Sequence, residues 1–332
     1  MIQREVGLAF QSNKQFGEYA RLAAQAEGYG ADVFTIYGDL RFPPPLPGLL
    51  EVARSTSRIR IGPTCLNPYT MHPYEIAGQI AALDAASQGR AYLGLSRGAW
   101  LEGVGIEQTR PLTYLAEASA VVAGLLAGDR DGFEGEVFRV APDVALRYEP
   151  RRRRVPLLIG SWGPRTLALA GRIANEAKIG GSTNPDMVAV GRRRIDAGIT
   201  SPRTAEGVGL VMGAVTVVDE DGTAARSLAK REVAMYLDVV AELDSTYQVP
   251  VEVLDAVRSH LARGDSTAAG AAIPDEVLDR FAFAGTPGQV ADQAQALFEA
   301  GADRVEFGTP HGINSEAGID LLGTQVLPRL RS

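Results

Sequence analysis

Directly after the fifth predicted strand, a short run of residues leads into a predicted helix that begins at Pro164. The run consists of Ser161, Trp162, Gly163, Pro164, Arg165 and Thr166. Backbone N–H groups at a helix N-terminus have no intrahelical partner and attract anions, and proline suits the first helical turn. Arginine adds a charged donor for a phosphate. Exposed backbone and two hydroxyls after the sixth strand complete a predicted phosphate cradle, at Gly180, Gly181, Ser182 and Thr183.

Two titratable side chains follow predicted strands and are candidates for catalysis. Asp39 comes after the second strand, where a carboxylate is a candidate acid or base. The alternative for Asp39 is a structural role, capping the proline-rich loop that follows. His311 comes after the eighth strand and is the second catalytic candidate. His72 stands before Pro73 at a predicted helix start, a position more typical of a structural hydrogen-bonding residue.

The fourth predicted strand is followed by Ser96, Arg97 and Gly98, with Trp100 two residues later. Glycine permits close approach of the backbone to a ligand, while arginine and tryptophan offer a charge and an aromatic face. This pattern indicates ligand contact. The alternative is a simple turn with a packed tryptophan.

The sequence predicts no metal site. It contains one cysteine, Cys65, and three dispersed histidines, and no spacing typical of metal ligands connects them. Cys65 has no neighbouring histidine or lysine in the sequence to lower the pKa of its thiol, so a nucleophilic role is not expected. A G-x-S-x-G turn, a P-loop and a convincing dinucleotide motif are also absent from the sequence.

Eight short apolar runs position these candidates, and their lack of strict alternation is typical of parallel strands buried on both faces. The runs are Val6–Phe10, Val33–Tyr37, Ile59–Thr64, Ala91–Leu95, Val155–Gly160, Ala177–Gly180, Gly209–Val218 and Arg304–Phe307. Helical patterns follow them at Phe16–Gly28, Pro73–Ser87, Pro164–Asn175, Asp186–Asp196, Thr223–Leu243 and Pro287–Gly301. This alternation favours an α/β fold, a closed (β/α)8 TIM barrel, over an open doubly wound sheet. The carboxyl ends of the strands would then form the active-site mouth.

Two segments are too long to be simple connections and predict insertions after strands 4 and 7. Arg97–Arg154 contains a helical pattern at Pro111–Ala127, whereas Leu243–Asp275 has no clear period. Such insertions are usually lids, binding loops or oligomer contacts. No linker is evident, so we expect a single domain over residues 1–332.

Charge and composition narrow the class of partner. A net charge of −7 argues against binding to nucleic acid or to an anionic membrane. The run Arg151–Arg154 is interpreted as a solvated loop, because a phosphate-binding surface needs more basic residues. The chain has one cysteine, no apolar signal segment and no apolar stretch of membrane-spanning length. These features predict a soluble, cytoplasmic protein.

Five segments in order along the chain resemble the luciferase-like oxidoreductases, and within them the branch of coenzyme F420-dependent methylenetetrahydromethanopterin reductases. They are Thr56–Gly62, Asn67–Pro73, Ser87–Gly98, Trp162–Gly171, and Phe283–Pro287 continuing through Val326–Leu330. The resemblance implies a TIM barrel with F420, or alternatively FMN, held at the mouth. It also implies a non-prolyl cis peptide at Thr64–Cys65 behind the cofactor ring. Loops around Gly98, Gly163 and Gly181 would hold the ribityl chain and phosphate.

The sequence departs from the pattern of its relatives at two places. Many relatives have Asp-His after the second strand, where this chain has Gly38, Asp39 and Leu40. Either Asp39 takes over the proton transfer or no side-chain base is needed there. The lysines that bind phosphate in some F420 dehydrogenases are also absent, and Asn184, Asp279 and Arg280 stand near those places.

The resemblance therefore predicts an F420-dependent oxidoreductase that transfers a hydride between F420 and a small organic substrate. An FMN-dependent monooxygenase of the same architecture is one alternative. A non-catalytic flavin- or deazaflavin-binding protein is another, since the Asp-His pair is missing. Relatives commonly dimerise through barrel helices, so we expect a homodimer.

Overall fold

The computed structural model describes residues 4–200 and 207–331, and within them parallel strands form the centre of the molecule. In chain order the strands are β1 (Glu5–Phe10), β2 (Val33–Ile36), β3 (Arg60–Pro63), β4 (Leu93–Leu95), β5 (Phe133–Glu134), β6 (Arg139–Val140), β7 (Leu157–Gly160), β8 (Glu176–Gly180), β9 (Gly209–Val218), β10 (Ala282–Gly285) and β11 (Arg304–His311). β5 and β6 form a separate antiparallel hairpin.

The helices surround these strands. They are α1 (Glu18–Gly28), α2 (Pro45–Ser55), α3 (Pro73–Ala86), α4 (Pro111–Ala127), α5 (Pro164–Ile173), α6 (Pro185–Asp196), α7 (Gly222–Ala234), α8 (Leu237–Leu243), α9 (Val251–Ala262), α10 (Ser266–Ala271), α11 (Asp275–Phe281), α12 (Pro287–Glu299), α13 (Ser315–Leu321) and α14 (Leu327–Arg331). Six of them begin on a proline, a residue that lacks the N–H that a first turn leaves unpaired and has the helical φ already fixed.

Eight strands close into a barrel in the order β3-β2-β1-β11-β9-β8-β7-β4. The remaining seam, between β3 and β4, is closed by parallel bridges that join Ile61 to Ala91 and Leu66 to Leu95. The prediction of a closed TIM barrel is therefore confirmed. The insertions after the fourth and seventh barrel strands are also present, the first with α4 and the β5–β6 hairpin and the second with α7–α11 and β10.

Several elements differ from the sequence-based expectation. The predicted helix Thr223–Leu243 is interrupted at Tyr236, whose φ of −130° separates α7 from α8. The segment Leu243–Asp275, which shows no clear period, contains α9 and α10. β10 was not predicted; it pairs with Val215–Val218 of β9, beyond the residues of β9 that pair with β8.

The predicted solvated loop Arg151–Arg154 is exposed at three of its four arginines. The exception is Arg152, whose guanidinium bonds both carboxylate oxygens of Asp84, with the shorter contact at 2.5 Å, and the carbonyl of Ala91. Asp84 is 1% exposed, so this pair ties the loop to the outer layer of helices.

Long charged side chains fill the lower half of the barrel. Arg304 lies 2.9 Å from Glu176 and 3.0 Å from Glu306, and Arg60 lies 3.0 Å from Glu176. One layer higher, the ammonium of Lys178 lies 2.5 Å from Glu306. Burial alone would raise the pKa of Glu306, but Lys178 and Arg304 hold it below its usual range. Charges this deeply buried are tolerated only when they are paired, so Glu306 connects the two cations.

Removal of this shared carboxylate tests the network. In Glu306→Gln, no other described carboxylate lies within ion-pair distance of Lys178, and we expect a loss of about 3–5 kcal/mol in the free energy of unfolding. Lys178→Met should cost less, because Glu306 keeps Arg304. Urea unfolding at pH 7 measures both losses in the free energy of unfolding. The control is a variant that removes the exposed ion pair Arg21–Glu316, which should lose only about 0–1 kcal/mol. A Glu306→Gln variant as stable as the control would contradict this description.

Candidate active site

The Thr64–Cys65 peptide, directly after β3, is cis, as the sequence resemblance implied. Glycines of three neighbouring segments approach it so closely that none of them has room for a side chain. A Cβ on Gly38 would lie 2.6 Å from the carbonyl oxygen of Cys65, and one on Gly160 would lie 2.8 Å from its Sγ. A Cβ on Gly94 would lie 2.3 Å from the carbonyl oxygen of Pro63. Backbone from β4, β7 and the loop after β2 therefore fixes the Thr64–Cys65 segment, called the bulge below, at the barrel mouth.

The side chains of the bulge are anchored below it. Thr64 is buried, and its hydroxyl lies 3.2 Å from the hydroxyl of Tyr92, which in turn lies 2.6 Å from that of Thr35. Burial raises the pKa of the Cys65 thiol to about 12, although the nearby charge of Lys178 and a hydrogen bond with Ser96 act in the opposite direction. Cys65 is thus a protonated thiol at neutral pH, with no activation as a nucleophile.

Asp39 lies beside the bulge, within reach of the charge of Lys178 from the buried ionic network inside the barrel. Burial raises the pKa of its carboxyl, and the side chain of Gln11 and the charge of Lys178 only partly oppose that shift. A carboxyl at a strand end with a raised pKa is typical of an acid or base in a reaction. Asp39 therefore remains a candidate acid or base at the mouth.

His311 does not reach the surface of the mouth. Its side chain is 1% exposed, its ring centroid lies 4.5 Å from that of Phe10, and its Nε2 lies 3.2 Å from the carbonyl oxygen of Phe307. Burial lowers the pKa of the imidazole to about 3, so the ring is neutral. These contacts favour a packing role, and we give His311 no part in the reaction proposed below. His72 caps α3, with Nδ1 accepting from the backbone N–H of Tyr74.

The two halves of the predicted phosphate cradle lie together. The indole N–H of Trp162 donates to the carbonyl of Gly180 at 2.7 Å, and the backbone N–H of Ser161 donates to the carbonyl of Lys178 at 2.9 Å. Ser161 Oγ accepts from the N–H of Gly163 at 3.0 Å, which shapes the entry to α5. Pro164 and Arg165 are exposed, whereas Thr166 is half-buried.

Open space within the cradle lies at its glycines. A Cβ on Gly163 would have Ser161 Oγ at 3.6 Å and Thr166 Oγ1 at 3.9 Å, and one on Gly180 would meet nothing within 4 Å. Gly181 has a φ of +80°, the left-handed region that favours glycine. A helix N-terminus, open backbone and an exposed arginine form a donor set that fits a phosphate.

Ser182 and Thr183 face away from this space. Both are buried; Ser182 Oγ accepts from the N–H of Asn184, and Thr183 Oγ1 donates to the carbonyl of Asp279. Their hydroxyls are therefore used inside the protein, and the expectation that they line the cradle is not supported by the geometry. Sequence alone carries no signal for the side on which these hydroxyls point.

The loop after β4 joins the bulge through Ser96. Beyond the hydrogen bond between Ser96 and Cys65, Ser96 Oγ accepts from the N–H of Gly98 at 3.3 Å. Gln108 donates to the carbonyls of Arg97 and Gly98, which holds the loop in place. The side chain of Arg97 and that of Trp100 are exposed, the latter at 51%. The indole is therefore not a packed core residue.

The side chains near the places where the resemblance predicts phosphate-binding lysines have partners within the protein. Asn184 caps α6 and donates to Asp244 and Thr246, each at 2.8 Å. Asp279 bonds Arg226, and the guanidinium of Arg280 lies 4.2 Å from the ring centroid of Tyr247.

Lys178 was not predicted as part of the site, although the sequence contains a signal for it. Lys178 is one of only three lysines in the chain and interrupts an apolar strand. Among residues 4–200 and 207–331, no group of three or more side chains is arranged to hold a metal ion. Nor does this part of the chain contain a helix long and apolar enough to cross a membrane.

Both the sequence and the architecture of this chain match known proteins. Residues 2–304 match the family model described as luciferase-like monooxygenase. The chain belongs to the luciferase-like monooxygenase family. It is similar to the 5,10-methylenetetrahydromethanopterin reductase of Archaeoglobus fulgidus, with 28% identity over 333 residues that cover 98% of this chain and 99% of the relative. The F420-dependent glucose-6-phosphate dehydrogenase of Nakamurella multipartita is 36% identical over 180 residues, 49% of this chain and 52% of the relative.

A solved structure resembles this member of the luciferase-like family closely. The coenzyme F420-dependent tetrahydromethanopterin reductase of Methanopyrus kandleri superposes with a TM-score of 0.90 at 25% identity, and the match covers 99% of both chains. The barrel and its two insertions are thus shared along the whole length.

The glycines around the bulge give a test of its packing. In Gly38→Ala the new methyl group meets a backbone oxygen at 2.6 Å, which cannot rotate away. We expect a loss of about 1–3 kcal/mol in the free energy of unfolding. Gly28→Ala is the matched control, since its Cβ meets nothing within 4 Å. Equal stability of the two variants in urea unfolding would show that the bulge is not packed as described.

Proposed function

We propose that this protein is a coenzyme F420-dependent oxidoreductase that transfers a hydride between the cofactor and a small organic substrate. The observation that carries the proposal is the open cradle at the start of α5, around Gly163 and Gly180, beside the close-packed glycine backbones that fix the Thr64–Cys65 segment at the barrel mouth. Two relatives, one matched along the whole chain and one along half of it, are named as a methylenetetrahydromethanopterin reductase and an F420-dependent dehydrogenase.

Two parts of the barrel mouth would share the binding of the cofactor. The N–H groups at the start of α5, with Arg165 and the open backbone at Gly180, would hold the phosphate. The Thr64–Cys65 peptide would support one face of the ring and leave the other face open to substrate. When bound, the deazaflavin supplies or accepts the hydride.

Asp39 would exchange the proton that accompanies the hydride. Its carboxyl lies near Gln11 and Lys178, and burial keeps it protonated to a higher pH than a carboxyl in water. Lys178 is held by Glu306 and so acts as a positioning residue that tunes Asp39 through its charge.

A substrate with a planar ring that can pack against apolar side chains suits the rim of the mouth. Four loops that follow β1, β2, β4 and β11 each expose a large apolar side chain there, namely Phe16, Phe42, Trp100 and Ile313. A reduced pterin carrying a one-carbon unit has such a planar ring, and it is the substrate that the relative matched along the whole chain is named for. We therefore propose a methylenetetrahydropterin as the first substrate to assay.

The family description favours a second candidate, an FMN-dependent monooxygenase. Formation of an oxygenated product from substrate, oxygen and reduced FMN, only when the protein is present, would identify that activity. We also propose that the protein is a homodimer in the cytoplasm. Light scattering of the purified protein tests its oligomeric state.

Cofactor choice is tested by fluorescence titration of the purified protein with F420 and, separately, with FMN. We expect F420 to bind with a micromolar or lower dissociation constant, equivalent to about 8 kcal/mol of binding free energy, and FMN to bind much more weakly. Affinity should fall at high salt, because charge-assisted phosphate contacts are screened. Preference for FMN would support the monooxygenase instead, and binding of neither would overturn the cofactor assignment.

Asp39→Asn tests the acid–base role by two independent measurements. A carboxyl whose pKa is raised in the folded state destabilises the fold once it ionises, so stability falls as pH rises through that folded pKa. We therefore expect the variant to be more stable than the parent at pH 7, with the difference vanishing at low pH. Turnover should fall by about 100-fold or more and lose its pH-dependent limb.

Asp131→Asn in the exposed β5–β6 region is the matched control, because it makes the same charge change away from the mouth. It should alter neither property. An Asp39→Asn enzyme with unchanged turnover and an unchanged pH profile would exclude Asp39 as the proton-exchanging group.

A further inference from the structure

A groove of about 380 Å³ lies on the outer side of the phosphate cradle, between α5, α6 and the turn that follows α8. Its walls are formed by Pro164, Val190, Arg193, Arg194, Ala197, Ser245 and Thr246. Two adjacent arginines therefore face a cavity large enough for several non-hydrogen atoms. The phosphate cradle alone does not account for it.

Arg194 is held in place at the groove. Its guanidinium donates to the carbonyl of Trp162 at 2.7 Å and to Ser245 Oγ at 3.2 Å. Burial and then the neighbouring charge of Arg193 lower the pKa of Arg194. The two cations thus repel each other, and an anion between them would relieve that repulsion.

Neither arginine forms an ion pair with a carboxylate in the described part of the chain, in contrast to their neighbour Arg192, which is paired with Asp303. Asp244 is the acidic group whose charge reaches Arg194, and its carboxylate is already bonded to Asn184 and Thr246. The groove therefore has positive charge that no described carboxylate neutralises by an ion pair, and one of its two guanidinium groups, that of Arg194, is held in place.

Groove and cradle are continuous. Pro164 opens α5 in the cradle and also lines the groove. Trp162 contacts both, since its indole N–H bonds Gly180 and its carbonyl bonds Arg194. A ligand that places a phosphate in the cradle and continues beyond it as an acidic chain would meet Arg193 and Arg194 next.

The two candidate cofactors differ at this point of their structure. FMN ends at its phosphate, whereas F420 continues from the phosphate into a chain of glutamyl units, each with a carboxylate. Arginine binds carboxylates with paired, charge-assisted hydrogen bonds. We infer that the groove of Arg193 and Arg194 binds the acidic tail of F420 and thereby selects F420 over FMN. This inference rests on the proposed function, because it assumes a phosphate in the cradle.

The test compares F420 carrying glutamates with F420 lacking them, by fluorescence titration of the full-length protein without substrate. We expect the glutamylated form to bind about tenfold or more tightly than the form without glutamates, since hydrogen bonds to charged groups are worth at least that factor. The advantage should shrink at high salt.

Arg193→Gln should reduce the advantage to about threefold or less, while the affinity for the form without glutamates stays within about twofold of the parent. Arg193 is preferred for mutation because Arg194 also supports the cradle through Trp162. Arg172→Gln is the matched control, an exposed arginine of α5 outside the groove that undergoes the same charge change. It should leave the advantage unchanged.

Three results would overturn the inference. Equal binding of both forms by the parent protein would overturn it while leaving the proposed function intact. An equal loss for Arg172→Gln would show a general effect of charge rather than a site. Failure of both forms to bind would overturn the inference and the proposed function together.

Discussion

The close approach of three backbone segments around the Thr64–Cys65 peptide is the constraint on which the mouth of this barrel depends. Gly38, Gly94 and Gly160 stand on elements far apart in the sequence, yet each would bring a Cβ to 2.8 Å or less from an atom of the bulge or of the residue before it. Protein interiors transmit such misfits because they are close-packed. The bulge is therefore positioned by the barrel as a whole rather than by its own loop.

The charged column beneath the bulge sets the chemistry above it. A row of paired charges runs from Glu5, Arg60, Glu176 and Arg304 at the base, through Glu306, to Lys178. Each buried charge requires its partner, so Glu306 holds the ammonium of Lys178 in place near the mouth. That cation opposes the rise in the pKa of Asp39 that burial causes. Stability and reactivity are thus coupled through the same few side chains.

The barrel was predictable from the sequence, because eight buried parallel strands leave short apolar runs that alternate with helical patterns. Elements whose formation depends on tertiary contacts were not. α2 begins within a cluster of prolines that reads as a loop, and β10 is a four-residue strand defined only by its pairing with β9. The candidate site was likewise predictable only where local sequence determines its structure. The cradle around Trp162 and Gly163 follows from local rules for helix N-termini, whereas the direction of the Ser182 and Thr183 hydroxyls does not.

The pairing of Lys178 with Glu306 joins residues 128 positions apart, and no local pattern reports it. The burial of His311 is likewise a tertiary property, since a histidine after a barrel strand has the same local signature whether it faces the mouth or packs on Phe10. Position after a strand selects candidates, and only packing decides which of them face a ligand.

A crystal structure of the protein with bound F420 is the most direct test of the central claim, that the bulge and the cradle together hold this cofactor. We expect the deazaflavin ring to lie against the Thr64–Cys65 peptide and the phosphate to lie within hydrogen-bond distance of backbone N–H groups at the start of α5. A ring bound away from the bulge, or a phosphate held elsewhere on the barrel, would contradict it.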